Sequence, residues 1–399
     1  MLHHLLKLIW KRKARNLMLS LEILLAFMVV FAIAAFAARN YQLVQMPTGF
    51  AWRDQWSVSI RNAQPIPNDA AMYDALKRAL LELPEVEKVA FTALAPYEMS
   101  RMNANYSLPD GSRPVESDSM VSSDDFFDAM QLTPAQGRWF STADDAADAV
   151  PAVINRLLAD RLFPGIQAVG QVFVDAEGKA RNKPRRYRVS AVVEHFRLHG
   201  EYMAPVNVVL PRFRPGIGED PPMTILLRLK PGTPRAFEAR LSARLKREHN
   251  DWSFVINPLS EARKSMFKLQ MLPLTILSVI AAFLLVMVAF GLFGVLWQNT
   301  TRRIPEIGLR RALGADAGHI YRQIITEQML LSSAAMAVAL VLLVQLPLTG
   351  VFGDSLNWPV FLAAAALSAG VIYLLSLLCS LYPGWRAARI SPTQALHYE

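Results

Sequence analysis

The chain has 399 residues, a net charge of +9 and 53% hydrophobic residues, and much of the hydrophobic excess lies in a few long blocks. Blocks of this kind are typical of a membrane protein and exclude an ordinary soluble domain. Many of the basic residues flank these blocks, so the positive charge does not indicate binding to nucleic acid. The single cysteine, Cys379, excludes a disulfide within the chain.

Residues 1–16 mix apolar side chains with lysines and arginines, which is typical of an amphipathic helix on the cytoplasmic leaflet. Two interpretations of the following apolar stretch compete, because Ala35-Phe36-Ala37 resembles a signal-peptide cleavage site. The stretch is longer than the roughly 7–15 apolar residues of a signal peptide. The sequence therefore favours an uncleaved membrane anchor.

Four apolar stretches are each long enough to cross a bilayer as a helix. They are residues 17–38, 272–297, 326–348 and 359–383. Lysine and arginine cluster before the first span, in the loop 298–325 and in the tail 384–399, whereas the loop 349–358 has neither. Because positively charged loops stay in the cytoplasm, we expect both termini inside and residues 39–271 and 349–358 outside.

Glu22 is an ionisable residue within the first span. Ionisable groups in membrane spans are functional candidates by default, so Glu22 is an intramembrane candidate. The alternative is a carboxylate near the interface that pairs with a basic residue, such as Arg15 or an arginine between residues 302 and 311.

The exterior region begins and ends with a similar pattern of strand, helix and strand. The first unit has strands at 56–61 and 86–91 around a helix whose apolar residues are Met72, Leu76, Leu80 and Leu83. The second has strands at 223–229 and 252–256 around a helix carrying Phe237, Leu241 and Leu245. We predict that the two units form one α/β lobe, lobe A (55–95 and 222–258). Residues 96–221 then form an inserted lobe B, and 259–271 form a charged stalk.

Lobe B has its own pattern of short elements. Helices are predicted at 124–132 and 156–163. Strands are predicted at 151–154, 171–175 and 186–193, with a hairpin turn at 177–179. His195 and His199 have the spacing of metal ligands on a helix, but they follow an apolar strand and precede Gly200, so we expect a loop and no metal site.

Sequence patterns of nucleotide-binding and catalytic sites are absent. The chain has no Gly-x-x-x-x-Gly-Lys-Ser/Thr stretch, no Gly-x-Ser-x-Gly and no His-Glu-x-x-His. The chain therefore has no P-loop of its own for ATP, and an enzyme is not indicated.

Between the second and third spans, residues 302–315 have apolar residues at helical spacing. Pro305 suits the start of a helix, Glu306 favours its positive end, and Gly314 suits its end. Because Pro305 lacks a donor, the helix could also begin later, in the turn of Glu306. Taken alone, the segment is either a short cytoplasmic helix with a role or an ordinary membrane loop.

Three stretches together resemble the permeases of the MacB/FtsX family of ABC transporters. The cytoplasmic segment 301–315, Thr-Arg-Arg-Ile-Pro-Glu-Ile-Gly-Leu-Arg-Arg-Ala-Leu-Gly-Ala, is similar to the family's Thr-Arg-x-x-Glu-Ile-Gly-x-x-Arg-Ala-x-Gly-Ala motif. The tail is similar to the closing Pro-x-x-Ala-Leu motif, and 126–128, 137–140 and 154–165 look like parts of the exterior core domain. Pro305 departs from the residue usually found at its position, which is commonly basic.

The resemblance implies an α-helical membrane protein with four transmembrane helices plus a large α/β extracytoplasmic domain of two lobes, like the MacB periplasmic core. It implies a multi-pass protein of the bacterial inner membrane. It also implies that the cytoplasmic segment is a coupling helix docking on an ATPase. By position, that role falls to Glu306, Ile307, Gly308, Leu309, Arg310, Arg311, Leu313 and Gly314.

The resemblance further implies a non-catalytic permease subunit. The chain begins sixteen residues before its first span, so the ATPase dimer that binds ATP and Mg²⁺ is expected on separate chains. Expected partners are membrane lipid and a second permease copy or paralogue. A periplasmic adaptor and an outer-membrane channel are further candidates. The leading function is efflux of an antibiotic, peptide or toxin, and the alternatives are transmembrane signalling to a periplasmic partner and lipoprotein extraction.

Overall fold

A computed structural model describes residues 13–62, 66–175, 184–216 and 221–389. The helices are α1 (Lys13–Gln45), α2 (Ala70–Leu81), α3 (Phe126–Met130), α4 (Arg156–Leu162), α5 (Phe237–Glu248), α6 (Leu259–Arg302), α7 (Ile304–Ala312), α8 (Ala317–Leu343), α9 (Gln345–Thr349) and α10 (Trp358–Arg389). The strands are β1 (Gln55–Arg61), β2 (Val86–Thr92), β3 (Asn103–Ser107), β4 (Val115–Ser119), β5 (Pro134–Gly137), β6 (Val150–Asn155), β7 (Val172–Asp175), β8 (Arg186–Val193), β9 (Val208–Pro211), β10 (Thr224–Leu229) and β11 (Ser253–Pro258).

The chain divides into two compact units. Of the described residues, the membrane unit contains 13–42 and 271–389, and the exterior unit contains those between Leu43 and Gln270. The described residues contain four helical segments long and apolar enough to cross a membrane: Met18–Gln45, Leu259–Arg302, Ala317–Thr349 and Gly353–Arg389. The predicted fold class, four transmembrane helices plus a large α/β domain of two lobes, is confirmed.

The membrane helices extend well beyond the predicted spans. Helix α1 continues past residue 38 to Gln45, and α6 includes both the predicted stalk 259–271 and the second span in one helix. The expected loop 298–325 is mostly helical, since α6 ends at Arg302, α7 follows, and α8 begins at Ala317. An apolar window marks only the part that meets lipid, and polar residues carry the helices further. Residues 1–12 and 390–399, with most of the expected N-terminal helix and the tail motif, lie outside the described residues.

The helices of the membrane unit pack through small and apolar side chains. Ala339 and Ala364 are fully buried beside Phe27 and Phe31 of α1. Small residues let helix backbones approach closely where lipid provides no hydrophobic driving force. A hydrogen bond of 2.8 Å between the hydroxyls of Ser332 and Ser376 joins α8 to α10. These contacts fix the ends of α8 and α10 on which α7 packs.

Lobe A is an antiparallel sheet in the order β11-β1-β10-β2, covered on one face by α2 and α5. Val58 stands opposite Ile225 on one side and Ile256 on the other. The apolar positions that predicted the two helices are buried against this sheet, notably Leu76, Leu80, Leu241 and Leu245. The two strand–helix–strand units therefore share one sheet and one core.

Lobe B is a second sheet of seven strands, in the order β5-β8-β6-β9-β4-β3-β7. Strand β7 pairs with both β3 and β8, so six of these strands close into a ring, with β5 attached to β8. Tyr106, Phe173 and Tyr187 pack against one another in the core of this lobe. The predicted turn at 177–179 lies outside the described residues.

A third core joins the two lobes and the first turns of α6. It contains Ala90 and Leu226 from lobe A, Phe126 from lobe B, and Leu259 and Met266 from α6, all nearly or fully buried. Lobe A, lobe B and the first turns of α6 are therefore joined by this shared core.

Candidate functional site

Helix α7 has a buried side that faces the ends of its neighbours. Ile304 and Ile307 are 5% and 6% exposed, and Ile307 packs on Ile320 of α8 and Ala387 of α10. Residues three apart lie on the same side of a helix, so these two isoleucines form the buried side of the first turn of α7. The helix is thus held on the membrane unit by apolar contacts.

A chain of polar contacts fixes the orientation of α7 against α8. Arg310 donates hydrogen bonds to the Glu306 carboxylate at 2.6 Å and to the side-chain amide oxygen (Oε1) of Gln323 at 3.2 Å. Gln323 donates to Glu327 at 3.0 Å, and Glu327 also accepts from Arg303 at 2.6 Å. Partly exposed ion pairs contribute little stability individually, so the main effect of this network is geometric.

Two leucines are exposed at the C-terminal end of α7, Leu309 within the helix and Leu313 directly after its last residue. Leu309 is 59% exposed and Leu313 is 81% exposed, and Glu306 and Arg310 lie beside them. Exposed large apolar side chains beside charged groups are typical of a surface that contacts another protein.

The ends of α7 are sharply defined. The helix starts at Ile304, so Pro305 lies in the first turn, where a missing N–H breaks no helical hydrogen bond. It is shorter than the predicted 302–315, and its first turn contains Glu306, in agreement with the alternative start in the turn of Glu306. Gly314 has a φ of +95°, which glycine adopts without strain and which ends the helix.

The eight predicted coupling residues do not share one surface. Ile307 and Gly308 are buried, whereas Glu306, Leu309, Leu313 and Gly314 are exposed and Arg310 is intermediate; the side chain of Arg311 lies outside the described part of the chain. Two residues that hold the helix, Gln323 and Glu327, were not predicted from the sequence, and Ile304 was not assigned a role in holding it. For Ile304 the signal was available, since it precedes Ile307 by three residues.

Glu22 lies at one end of a small apolar cavity of about 200 Å³ between α1 and α6. Its carboxylate rests on the backbone of Gly291, where an added Cβ would come within 2.2 Å of an Oε1 atom. Among the side chains that the structure describes, Glu22 forms no ion pair; Arg303 and Arg310 pair with other carboxylates, and the side chain of Arg15 is outside that set.

The two histidines weighed as metal ligands lie on a loop, as expected. His199 is buried: its Nε2 lies 2.9 Å from an Asp118 carboxylate oxygen, and its Nδ1 lies 3.0 Å from the Glu98 carbonyl oxygen. The other Asp118 oxygen accepts two hydrogen bonds from Arg101. No group of three potential metal ligands exists among the described residues.

This loop continues through residues 197–203, which contact the ends of two long helices and are called the junction loop below. Arg197 is buried and donates to the carbonyl oxygens of Leu43 and Met46, at the end of α1, at 2.7 and 3.0 Å. Glu201 pairs with Arg263 of α6 and accepts a hydrogen bond from the Tyr97 hydroxyl at 3.0 Å. The end of α1 and the first turns of α6 are thus each held in the exterior unit by a buried charged side chain of the junction loop, Arg197 and Glu201 respectively.

Two family models match the chain, one ending before the second span and the other beginning within it. The model of the family described as "MacB-like periplasmic core domain" matches residues 19–244, more than half of the chain. The model of "FtsX-like permease C-terminal" matches residues 278–392, which include α7.

Several proteins named "Macrolide export ATP-binding/permease protein MacB" are similar to the chain. The one from Nitrobacter winogradskyi is 23% identical over 387 residues, covering 92% of this chain and 56% of that protein. The one from Syntrophobacter fumaroxidans is 32% identical over 174 residues, covering 43% and 22%. The chain spans at most about half the length of these first curated relatives.

Shorter relatives and solved structures are also similar. The uncharacterized ABC transporter permease YknZ of Bacillus subtilis is 23% identical over 295 residues, 71% of each chain. A crystal structure of the periplasmic region of MacB from Actinobacillus actinomycetemcomitans matches 56% of this chain and 97% of its own, with 13% identity and a TM-score of 0.40.

Proposed function

Because the chain belongs to the MacB/FtsX family of ABC transporter permeases, we propose that it is the membrane subunit of a transporter driven by ATPase subunits on other chains. ATP and Mg²⁺ bind to those subunits, and this chain contributes no cofactor site. Its cytoplasmic contact with them is helix α7.

The exposed side of α7 carries this proposal. Leu309 is a solvent-exposed leucine of α7 and Leu313 is a solvent-exposed leucine directly after it, whereas Ile307 on the other side of the helix is packed on α8 and α10. An apolar patch rimmed by Glu306 and Arg310 offers a partner both area and orientation. Ile307 and Gly308 then act by positioning the helix. The contact is formed by the four exposed residues, Glu306, Leu309, Leu313 and Gly314.

Movement then passes from α7 to the exterior lobes through continuous helices. Helix α6 has no break between Leu259 and Arg302, so a displacement at its cytoplasmic end is carried along its length. Its root is fixed in the exterior unit by Leu259, Met266 and the ion pair of Arg263 with Glu201. The complex contains a second permease, an identical copy or a paralogue.

We place both termini and α7 in the cytoplasm and the unit 43–270 outside, because the segments beside α7 and at the termini are rich in lysine and arginine. The transported compound leaves the inner membrane or the periplasm. Efflux is the leading activity, since relatives are named for export of macrolides and of syringafactin. An adaptor and an outer-membrane channel would carry the compound onwards.

The test is assembly of the complex, measured by co-purification of the ATPase with this chain, together with ATP hydrolysis by the reconstituted complex. Leu309→Ser and Leu313→Ser should each lower co-purification of the ATPase about tenfold, because buried apolar anchors contribute roughly 1–2 kcal/mol each to a protein interface. Leu81→Ser, at an exposed leucine of the exterior unit, serves as the matched control.

Glu306→Ala and Gly308→Ala should uncouple hydrolysis from transport while the protein remains folded. Asp354→Ala, which removes an exposed carboxylate from the segment between the last two spans, should leave both activities unchanged. The docking role would be refuted by normal assembly and transport in all four variants, Leu309→Ser, Leu313→Ser, Glu306→Ala and Gly308→Ala. A complex that activates a periplasmic partner and moves no compound would favour signalling, and release of lipoproteins would favour extraction.

A further inference from the structure

A cleft of about 570 Å³ opens on the face of the lobe A sheet that α2 and α5 do not cover. Its walls are strands β1, β10 and β11, the segment 93–100 and the first turns of α6. All of these belong to the unit 43–270. The cleft is large enough for a drug-sized molecule, for which pockets of roughly 300–1,000 Å³ are usual.

One carboxylate in the cleft lacks a partner of opposite charge. Glu98 is half-buried, and no described lysine, arginine or histidine forms an ion pair with its carboxylate. Burial raises the pKa of Glu98, and the Ala95 backbone and the more distant Arg61 only partly oppose this effect. A cation bound beside Glu98 would therefore remove an uncompensated cost of burial.

The rest of the lining is amphipathic. The hydroxyl side chains of Ser57, Ser59 and Ser265 line it, whereas Met99, Met223 and Leu269 are 64%, 44% and 44% exposed. Methionine side chains are flexible and adapt to apolar bodies of different shape. Hydroxyl groups and Arg61 supply donors for oxygen atoms of a ligand.

We propose that this cleft binds an amphiphile with an apolar body and a protonated amine, the amine at Glu98 and the body against the methionines. The proposal rests on the transport function proposed above and identifies the chemical class of the transported compound. Charge complementarity decides the class, because a half-buried carboxylate without an ion pair favours a cationic ligand over a plain fatty acid.

The test is photolabelling of the full chain in lipid nanodiscs. The probes are a diazirine-bearing dodecylamine and the matching dodecanoic acid, which share an apolar body and differ in charge. Mass spectrometry should locate the amine label on 93–100 and 262–269. Glu98→Gln should reduce labelling by the amine about tenfold at low probe concentration, as expected for loss of a charge-assisted hydrogen bond, and should not reduce labelling by the acid.

Two further variants separate charge from folding. Glu98→Lys should reverse the preference, so that the acid labels the cleft better than the amine. Asp251→Asn, which removes an exposed carboxylate elsewhere in lobe A, should label like the wild type. Equal amine labelling of Glu98→Gln and wild type would overturn the proposal, as would a label confined to other segments.

The cleft could instead face a second permease. In a Cys379→Ser background, a disulfide between Leu269→Cys residues of two copies, together with absent labelling, would assign the cleft to that contact and overturn the proposal. Because labelling needs no ATPase, its failure leaves the coupling role of α7 untouched. Conversely, loss of the coupling role would appear in ATP hydrolysis whether or not the cleft is labelled.

Discussion

His199 lies between two groups that can only accept hydrogen bonds, the ionised carboxylate of Asp118 and the backbone carbonyl of Glu98. Each ring nitrogen must then carry a proton, so the geometry requires an imidazolium. The hydrogen bond to Asp118 raises the pKa of His199 above its ordinary 6.5, although burial and Arg101 oppose the shift. Burial alone would raise the pKa of Asp118, but the hydrogen bonds from His199 and Arg101 lower it overall.

These shifts predict how the stability of the protein depends on pH. The stability contributed by protonated His199 is complete below about pH 6.5 and is lost as pH rises through the raised folded-state pKa. The contribution of Asp118 is present above about pH 4 and is lost as pH falls through its lowered pKa. The melting temperature of the full chain in detergent should therefore fall from pH 6 to pH 9.

His199→Gln should lower the stability at pH 6 by roughly 1–3 kcal/mol, the usual cost of an unsatisfied buried group. The difference between wild type and variant should shrink towards pH 9. His195→Gln, on the same loop but exposed, is the control and should retain the fall. A constant difference across this pH range would contradict the charged state assigned to His199.

At the scale of elements, the end of α1 is closed by a side chain from a distant part of the sequence. The last carbonyl groups of a helix have no partner within the helix. Arg197 donates to two carbonyl oxygens at this end, of Leu43 and Met46, and with its other terminal nitrogen to those of Glu201 and Met203. One planar guanidinium therefore joins α1 to the junction loop.

Arg197→Lys should loosen the end of α1, because an ammonium group cannot reach the same four oxygen atoms. We expect amide hydrogen exchange in residues 43–50 to become roughly tenfold faster, as for a local loss of one to two hydrogen bonds. Arg247→Lys, at an exposed arginine of α5, should leave the exchange of this segment unchanged. Unchanged exchange in Arg197→Lys would show that the carbonyl contacts do not hold the helix end.

At the scale of the whole molecule, the exterior unit has cores of its own and includes the first turns of α6. A fragment of residues 43–270 should therefore fold without the membrane unit and unfold cooperatively. A fragment ending at residue 258 lacks Leu259 and Met266, each worth roughly 1.5–3 kcal/mol when buried. Circular dichroism should show a melting temperature lower by about 10 °C or more. Equal melting temperatures would show that α6 is not part of the exterior core.

The sequence predicted most of what depends on local periodicity. The i, i+4, i+8 pattern of Phe237, Leu241 and Leu245 placed α5, and the apolar windows placed the four spans. Strands β3 and β4 were missed because they are rich in polar residues, such as Asn103 and Asp118, whose partners lie far away in sequence. Helix lengths were underestimated because the apolar window reports contact with lipid and carries no information on where the hydrogen-bonded helix ends.

The candidate site could be predicted only in part. The position and helical character of α7 followed from Ile304, Ile307 and Gly314. The division of the helix into a buried and an exposed side depends on α8 and α10, so Leu313 could not be distinguished from Ile307 in advance. The junction loop was missed entirely, because charged residues of distant segments meet there.

The hydrogen bonds of Arg197 have a consequence for how the protein is made. Arg197 follows Leu43 by 154 residues along the chain, so α1 enters the membrane long before its closing side chain has been synthesised. At roughly 5–20 residues per second, that interval is on the order of ten to thirty seconds. During biogenesis the end of α1 therefore lacks the hydrogen bonds from Arg197 until the junction loop has been synthesised.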